Sequence, residues 1–260
     1  MALALDYEGF KHKIKAKIGL DLSHYKEQQM RRRIHQLMQR YKAADYDTFM
    51  RMLNDDGDIL RHFTDYLTIN TSQFFRDPVI YRALEMQLLP ELLQGGKPLK
   101  VWSAGCSVGA EPYSLAMLLS EQDPGCSWRV LATDFDVNIL AKAKEGKYPD
   151  NLLTHVPERF RKRYFNERDG LFFLDSQIKN RVQFRRQNLL TDRYEIGCNL
   201  ILCRNVFIYF TVETQENLID RFTQGLQAGG FFIIGCSEMI TNPARFGLQK
   251  VKPAIYRKVK

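Results

Sequence analysis

Between Tyr7 and about Leu67 apolar residues recur at spacings of three and four, as in Ile34, Leu37, Met38 and Tyr41, with polar residues between them. That period puts apolar side chains on one face of a helix and predicts a small helical bundle. Ser23 offers a helix start ahead of a charged run. Asp47, ahead of Thr48, Phe49, Met50 and Leu53, offers another, because a short oxygen-bearing side chain accepts from the free N–H groups of a first turn. A further helix is predicted over Pro78 to Leu93, with proline in its first turn and Gly95-Gly96 ending it. After Lys97 the pattern changes to short apolar runs separated by helical segments. Strands fit Leu99 to Ser103, Arg129 to Thr133, Val182 to Arg186, Leu200 to Cys203, Phe231 to Ile234 and Ile255 to Lys258. Helices fit Glu111 to Glu121, Val137 to Lys144 and Val212 to Gln227. This alternation predicts a mainly parallel sheet covered by helices on both faces. Between Gly146 and Gln187 it lapses into a basic stretch around Arg159, Arg161, Lys162 and Arg163. Two strand-like runs follow, Leu171 to Leu174 and Val182 to Arg186, and an inserted small antiparallel hairpin or sheet is expected there.

Composition narrows the class. The chain has 260 residues, 45% hydrophobic and 26% charged, enough for one large domain with a satellite. No apolar run approaches the ~18 residues of a membrane-spanning helix, and Asp6 and Glu8 stand where a basic leader would need Lys or Arg. A cytoplasmic protein with no direct membrane insertion is expected. Five cysteines (Cys106, Cys126, Cys198, Cys203, Cys236) include no CxxC pair, and several lie in apolar stretches. They are expected to be buried structural thiols, with no metal site. The net charge of +8 is concentrated: ten Lys or Arg between Phe10 and Lys42 face only Asp21 and Glu27, so this stretch alone equals the excess of the whole chain. Such a face attracts an acidic partner through long-range steering. Nucleic acid, an acidic protein surface and a merely solvated helix face all remain open on composition alone.

Four segments carry candidate chemistry. Val101-Trp102-Ser103 runs into Ala104-Gly105-Cys106-Ser107-Val108-Gly109 and then a helix, so glycines let the backbone approach a ligand beside free helix N–H groups; the Gly-x-x-x-Gly spacing is not the dinucleotide fingerprint. Leu131-Ala132-Thr133-Asp134 ends a strand on a carboxylate, placed to accept from both ribose hydroxyls or else to cap a helix, as Asp136 also can. The apolar strand Leu200 to Cys203 opens onto Arg204, Asn205 and Tyr209, while Val206, Phe207 and Phe210 read as core; Tyr209 is alternatively a packing residue with a tethered hydroxyl. Thr68-Ile69-Asn70-Thr71-Ser72-Gln73-Phe74-Phe75-Arg76 joins the helical region to the rest and alone reads equally well as a capped helix start.

Taken together, these segments resemble the CheR family of chemotaxis receptor methyltransferases. The likeness covers nearly the whole chain and includes Tyr25-Lys26-Glu27, Arg31-Arg32-Arg33, the Asn-x-(Ser/Thr)-x-Phe-(Phe/Tyr)-Arg segment, Trp102-Ser103-Ala104 through Glu111-Pro112-Tyr113-Ser114, Ala132-Thr133-Asp134, Asn188-Leu189-Leu190 and Cys203 through Phe210. One departure is Ala110, where the family commonly has the first Glu of Gly-Glu-Glu-Pro-Tyr; Glu111, next to Pro112, is retained. The resemblance implies an α/β fold: a Rossmann-like class I methyltransferase domain with a small antiparallel β insertion, preceded by an all-α N-terminal domain. The expected layout is a basic helical docking domain over 1–75, a linker helix over 76–96 and a catalytic domain over 97–260, with its insertion at about 147–187.

The implied reaction is methyl transfer from S-adenosylmethionine to receptor glutamates, giving methyl esters and S-adenosylhomocysteine without a metal. Carried over residue by residue, the resemblance assigns Asn70, Ser72, Arg76, Glu111, Asp134, Asn188, Leu189, Arg204 and Asn205 to the cofactor pocket. It sets Arg76 and Tyr209 beside the transferred methyl. The implied partner is the acidic helical cytoplasmic domain of chemotaxis receptors, with no nucleic acid. The hairpin region Asn166 to Leu174 looks short, and no tether to a receptor C-terminal pentapeptide is expected. A nucleic-acid methyltransferase and a non-catalytic S-adenosylmethionine-sensing module are the rival functions.

Overall fold

The computed structural model describes residues 5–68, 72–94, 96, 98–125 and 128–259. The chain divides into two compact units, Met1–Ile69 with Ile208–Glu216, and Asn70–Phe207 with Asn217–Lys260.

The first unit contains α1 (Tyr7–Ile18), a 3-10 turn (Leu22–His24), α2 (Glu27–Arg40), α3 (Tyr46–Asp55) and α4 (Gly57–Thr68). Their apolar stripes meet in a core of Phe10, Ile14, Ile34, Leu37, Phe49, Leu53, Phe63 and Leu67, all buried. Phe49 and Phe63 pack edge to face with centroids 5.8 Å apart, the arrangement that ring quadrupoles favour. The caps differ from expectation. Asp45, not Asp47, caps α3 by accepting from the Thr48 N–H, while Asp47 lies within the helix and accepts from the Leu5 N–H. Ser23 sits inside the 3-10 turn, which Asp21 caps, and α2 begins without a side-chain cap. Both errors come from choosing one of several closely spaced oxygen-bearing residues, which the pattern alone does not rank. Residues 208–216 join this unit through backbone pairing: the Lys26 N–H donates to the Tyr209 carbonyl (2.9 Å), the Thr211 N–H to the His24 carbonyl (3.0 Å), and Tyr25 bridges Phe210.

The second unit opens with α5 (Pro78–Ala83), a π turn (Leu84–Leu88) and α6 (Leu89–Leu93). The widened turn has a cause: Pro90 has no N–H to return to Met86, and the Leu89 N–H reaches back to Leu84 instead. Seven strands then form a sheet: β1 (Leu99–Ala104), β2 (Trp128–Asp134), β6 (Val182–Arg186), β7 (Cys198–Leu202), β8 (Leu226–Ile233), β9 (Leu248–Lys252) and β10 (Ile255–Lys258). Their order is β6-β2-β1-β7-β8-β10-β9, parallel through β8 with an antiparallel β9–β10 hairpin at the edge. Helices α7 (Ala110–Gln122), α8 (Val137–Glu145) and α11 (Val212–Gly225) connect strands. Every residue of α7 from Ala110 to Leu119 is buried, which explains its nearly continuous apolar sequence.

A separate three-stranded antiparallel sheet, β3-β5-β4, is built from β3 (Lys147–Pro149), β4 (Phe165–Arg168) and β5 (Leu171–Leu174), with α9 (Glu158–Tyr164) and α10 (Ser176–Lys179) flanking. Val182–Arg186 does not belong to this insertion: it pairs parallel with β2 in the large sheet. β4 escaped the sequence pattern because three of its four residues are polar and exposed, as suits an edge strand. The two-residue turn Asp169-Gly170 closes its hairpin with both residues at positive φ, which Asp and Gly tolerate.

Candidate functional site

The strand order reverses between β1 and β7, and in open sheets of this kind a crevice lies at that point beyond the carboxyl ends of the strands. The loop leaving β1 folds over the crevice: the Gly105 and Cys106 N–H groups both donate to the Thr133 carbonyl, at 2.8 and 3.0 Å. Gly105 has φ +71, and a Cβ there would stand 2.7 Å from Val206 Cγ2, so a side chain is excluded by conformation and by space. The Tyr148 hydroxyl of β3 donates to the Val108 carbonyl at 2.8 Å, bracing the loop from the inserted sheet.

Asp134 closes β2 inside this loop and is buried. Its Oδ2 accepts from the Ser107 N–H at 2.8 Å and its Oδ1 from the Asp136 N–H at 3.1 Å. Burial pushes its carboxyl up to about 6, against the lowering effect of these backbone donors. The helix-cap alternative falls to its neighbour: Asp136 accepts from Asn138 and Ile139 at the start of α8. Gln187 donates its N–H to the Asp134 carbonyl, which brings Asn188 and Leu189 to the same end of the sheet. The Asn188 side chain accepts from the Leu190 N–H, and the Leu189 carbonyl accepts from the Tyr194 hydroxyl. Ser107 Oγ and Gln187 Oε1 are buried without a hydrogen-bond partner among the described residues.

Arg204 organises the other side. Its Nη1 donates to Glu111 Oε2 (3.1 Å), and its Nη2 donates to Asp77 Oδ2 (2.6 Å) and to the Arg76 carbonyl (2.8 Å); its Nε is buried and unpartnered among the described residues. Glu111, in the first turn of α7, also accepts from the Ser103 hydroxyl at 2.7 Å. One buried guanidinium thus links β7, α7 and the turn before α5. That turn is strained: Phe75 (φ 51) and Asp77 (φ 59) flank Arg76 in the left-handed region. It is held by the buried rings of Phe74, against Tyr148 and Phe165, and of Phe75, against Tyr81 and Phe160, and by the Phe75 N–H donating to Ser114 Oγ. Asn205 is also left-handed (φ 59), and Glu238 Oε2 accepts from both the Asn205 and the Gly235 N–H groups, at 2.9 and 2.6 Å.

The second unit therefore contains Arg76, Glu111, Asp134, Asn188, Leu189, Arg204 and Asn205, together with half-buried Ser72. Tyr209 groups with the helical unit, and Asn70 lies outside the described residues. Sequence reasoning missed Ser103, Asp77 and Glu238. Asp77 stands between Arg76 and Pro78, a context that signals only a helix start, and Glu238 acts across 33 residues on a backbone N–H.

The comparisons with known proteins agree with one another. Residues 5–68 match the all-alpha domain and residues 70–255 the SAM binding domain of CheR methyltransferases. The chain is 40% identical over 257 residues to a chemotaxis protein methyltransferase of Listeria monocytogenes, covering 98% of each chain. It is 31% identical to one from Borreliella burgdorferi, covering 92% of this chain and 89% of that one. Against chemotaxis protein methyltransferase 1 of Pseudomonas aeruginosa the identity is 30%, over 98% of each chain.

Proposed function

Because the chain belongs to the CheR methyltransferase family, we propose that it methylates glutamate side chains on the acidic helical cytoplasmic domain of chemotaxis receptors, using S-adenosylmethionine. The observation that carries this reading is the buried Asp134 carboxylate facing the Gly105–Gly109 loop at the sheet's reversal point. The residues fit a nucleoside-bearing cosubstrate: an acceptor for ribose hydroxyls stands at a strand tip, and Ser107 Oγ, Gln187 Oε1 and Arg204 Nε are buried polar atoms that a polar ligand would satisfy. Asn70, Ser72, Arg76, Glu111, Asp134, Asn188, Leu189, Arg204 and Asn205 form the proposed pocket. Bound there, S-adenosylmethionine supplies an electrophilic methyl group on a sulfonium.

The chemistry demands little of the protein's acids and bases. A glutamate side chain, with a reference pKa near ~4.3, is ionised at neutral pH, so no strong general base is required. What the site must supply is alignment and exclusion of water, and positioning of reacting groups accounts for several kcal/mol of barrier lowering. In this reading Arg76 orients the carboxylate by charge and the Tyr209 hydroxyl by a hydrogen bond, and neither takes up a proton. The rigid left-handed turn around Arg76 supports the role, since a strained backbone held by packing fixes the guanidinium's origin. No helix among the described residues is long and apolar enough to cross a membrane. No pentapeptide tether is proposed, given the two-residue turn that closes β4 and β5.

The test is incubation with methyl-labelled S-adenosylmethionine and receptor cytoplasmic fragments, followed by mild base. Label bound to glutamate and released by base is expected. Base-stable label, or label on nucleic acid, overturns the reading in favour of a different acceptor.

A further inference from the structure

The connection from β6 to β7, residues 187–197, makes turns but no helix. Helices α7 and α8 pack against β2 and β6, and among the described residues the β6–β7 connection adds no helix to the opposite face. Trp102 on that face is covered by Tyr194 and Phe222, with ring centroids 5.2 and 5.1 Å away. Nearer the amino ends of the strands the side chains are cationic. Lys100 is in register with Arg129, and Val130 with Val182, so Lys100, Arg129 and Arg181 form a row across three adjacent strand positions. Like charges directly opposite on neighbouring strands are destabilising, and such a row calls for a counter-charge.

The protein supplies only part of it. Glu195 pairs with Lys100 and with Arg185, both at 2.7 Å, and Glu121 pairs with Arg163 at 2.6 Å. Arg129 is exposed, Arg181 stacks over Trp128 at 5.5 Å, and neither has a carboxylate partner among the described residues. These two arginines and Gln183 line two adjoining cavities at once. One, of about 510 Å³, extends to Lys100, Arg185 and Glu195. The other, of about 820 Å³, extends to Arg163, Tyr164 and Asn180. Both volumes fall in the range of small-molecule sites, and guanidinium forks match phosphate oxygens bidentately.

We infer that this cleft is a second ligand site, taking a small molecule that carries a diphosphate, with Arg129 and Arg181 as its principal contacts and Arg163 at its rim. It is separate from the crevice that holds Asp134. Arg129 stands five residues before Asp134 on β2, about 17 Å away at the usual rise of ~3.3 Å per residue. A concave cleft of this volume suits a small anion better than a flat acidic macromolecular surface.

Calorimetric titration of the full chain with inorganic pyrophosphate, ADP and adenosine tests this, with S-adenosylhomocysteine as control. With the Asp134 pocket saturated by S-adenosylhomocysteine, pyrophosphate and ADP are expected to bind and adenosine not to. Arg129→Gln/Arg181→Gln together should weaken both anions at least tenfold and leave S-adenosylhomocysteine affinity unchanged. Should the double variant lose the control titration as well, Arg129→Gln alone, at an exposed position, is expected to weaken pyrophosphate at least threefold with the control intact. Absence of binding at millimolar pyrophosphate, wild-type affinity in the variants, or displacement of ADP by S-adenosylhomocysteine overturns the inference. So does an acidic peptide such as polyglutamate binding through these arginines while pyrophosphate does not.

Discussion

Asp134 shows how much one residue's environment decides. Its place was legible because an apolar run ending on a carboxylate, Leu131-Ala132-Thr133-Asp134, marks a strand tip. Its titration was not, because burial comes from the loop folding back across it. The consequence is a pH dependence with a definite sign. Only the ionised carboxylate offers acceptors to both ribose hydroxyls, and with a pKa of about 6 it is mostly protonated at pH 5. S-adenosylhomocysteine affinity should therefore fall by about tenfold between pH 7.5 and pH 5, one pKa unit below the midpoint. Asp134→Asn should bind weakly with a flat profile; calorimetry at both pH values checks it. The same raised pKa makes ionised Asp134 a burden on the fold, so its contribution to stability is present below its ordinary value and is lost as pH rises through about 6. Tyr209 gives a contrasting prediction. Its backbone carbonyl is held by the Lys26 N–H, so Tyr209→Phe leaves the chain path intact while removing the hydroxyl. Cofactor affinity should be nearly unchanged and single-turnover methylation slower, and loss of binding with normal turnover would assign the hydroxyl to the nucleoside instead.

Among the elements, long periodic ones were legible and backbone-driven ones were not. α8 announces itself by apolar period, and α7 and the central strands by nearly unbroken apolar runs, whereas β8 begins at Leu226 inside a stretch that continues the helical pattern of α11. Least legible is the Phe75-Arg76-Asp77 turn, whose two left-handed residues depend on ring packing and on Arg204 rather than on turn-forming chemistry. Asp77 is the testable member. Removing it leaves a buried guanidinium with Glu111 as its remaining carboxylate, and breaking a buried pair costs about 3 kcal/mol or more when both partners are desolvated. Asp77 keeps about a third of its side chain exposed, at 31%, so a loss of about 2 kcal/mol is expected for Asp77→Ala in chemical denaturation. Asp77→Asn should recover part of it through the retained hydrogen bond. Equal stability of all three proteins would show that the turn is held by its aromatic rings alone.

For the whole molecule, the uneven placement of charge matters more than its total. An excess of +8, equal to that of the whole chain, sits between Phe10 and Lys42, and α2 carries Arg31, Arg32 and Arg33 in succession. The structure separates these three. Arg33 is half-buried, donates to the Tyr66 carbonyl and stacks on its ring at 4.4 Å, so it braces α2 against α4. Arg31 and Arg32 are exposed, and α2 presents Gln28, His35, Gln36 and Gln39 beside them in a shallow polar depression. The docking role proposed for this surface is therefore tested without Arg33, whose loss would unsettle the bundle. Exposed pairs contribute little singly, so the effect belongs in encounter rate and salt response rather than in one dominant contact. Arg31→Glu/Arg32→Glu should slow methylation of receptor fragments severalfold at low ionic strength and flatten its dependence on salt, because the steering charge is reversed over a distance that salt screens at ~10 Å. S-adenosylhomocysteine affinity should not change, since neither residue belongs to the proposed pocket. A folded, cofactor-binding variant that methylates receptor fragments at the wild-type rate and with the wild-type salt response would make this surface a solvated helix face and move the acidic partner elsewhere.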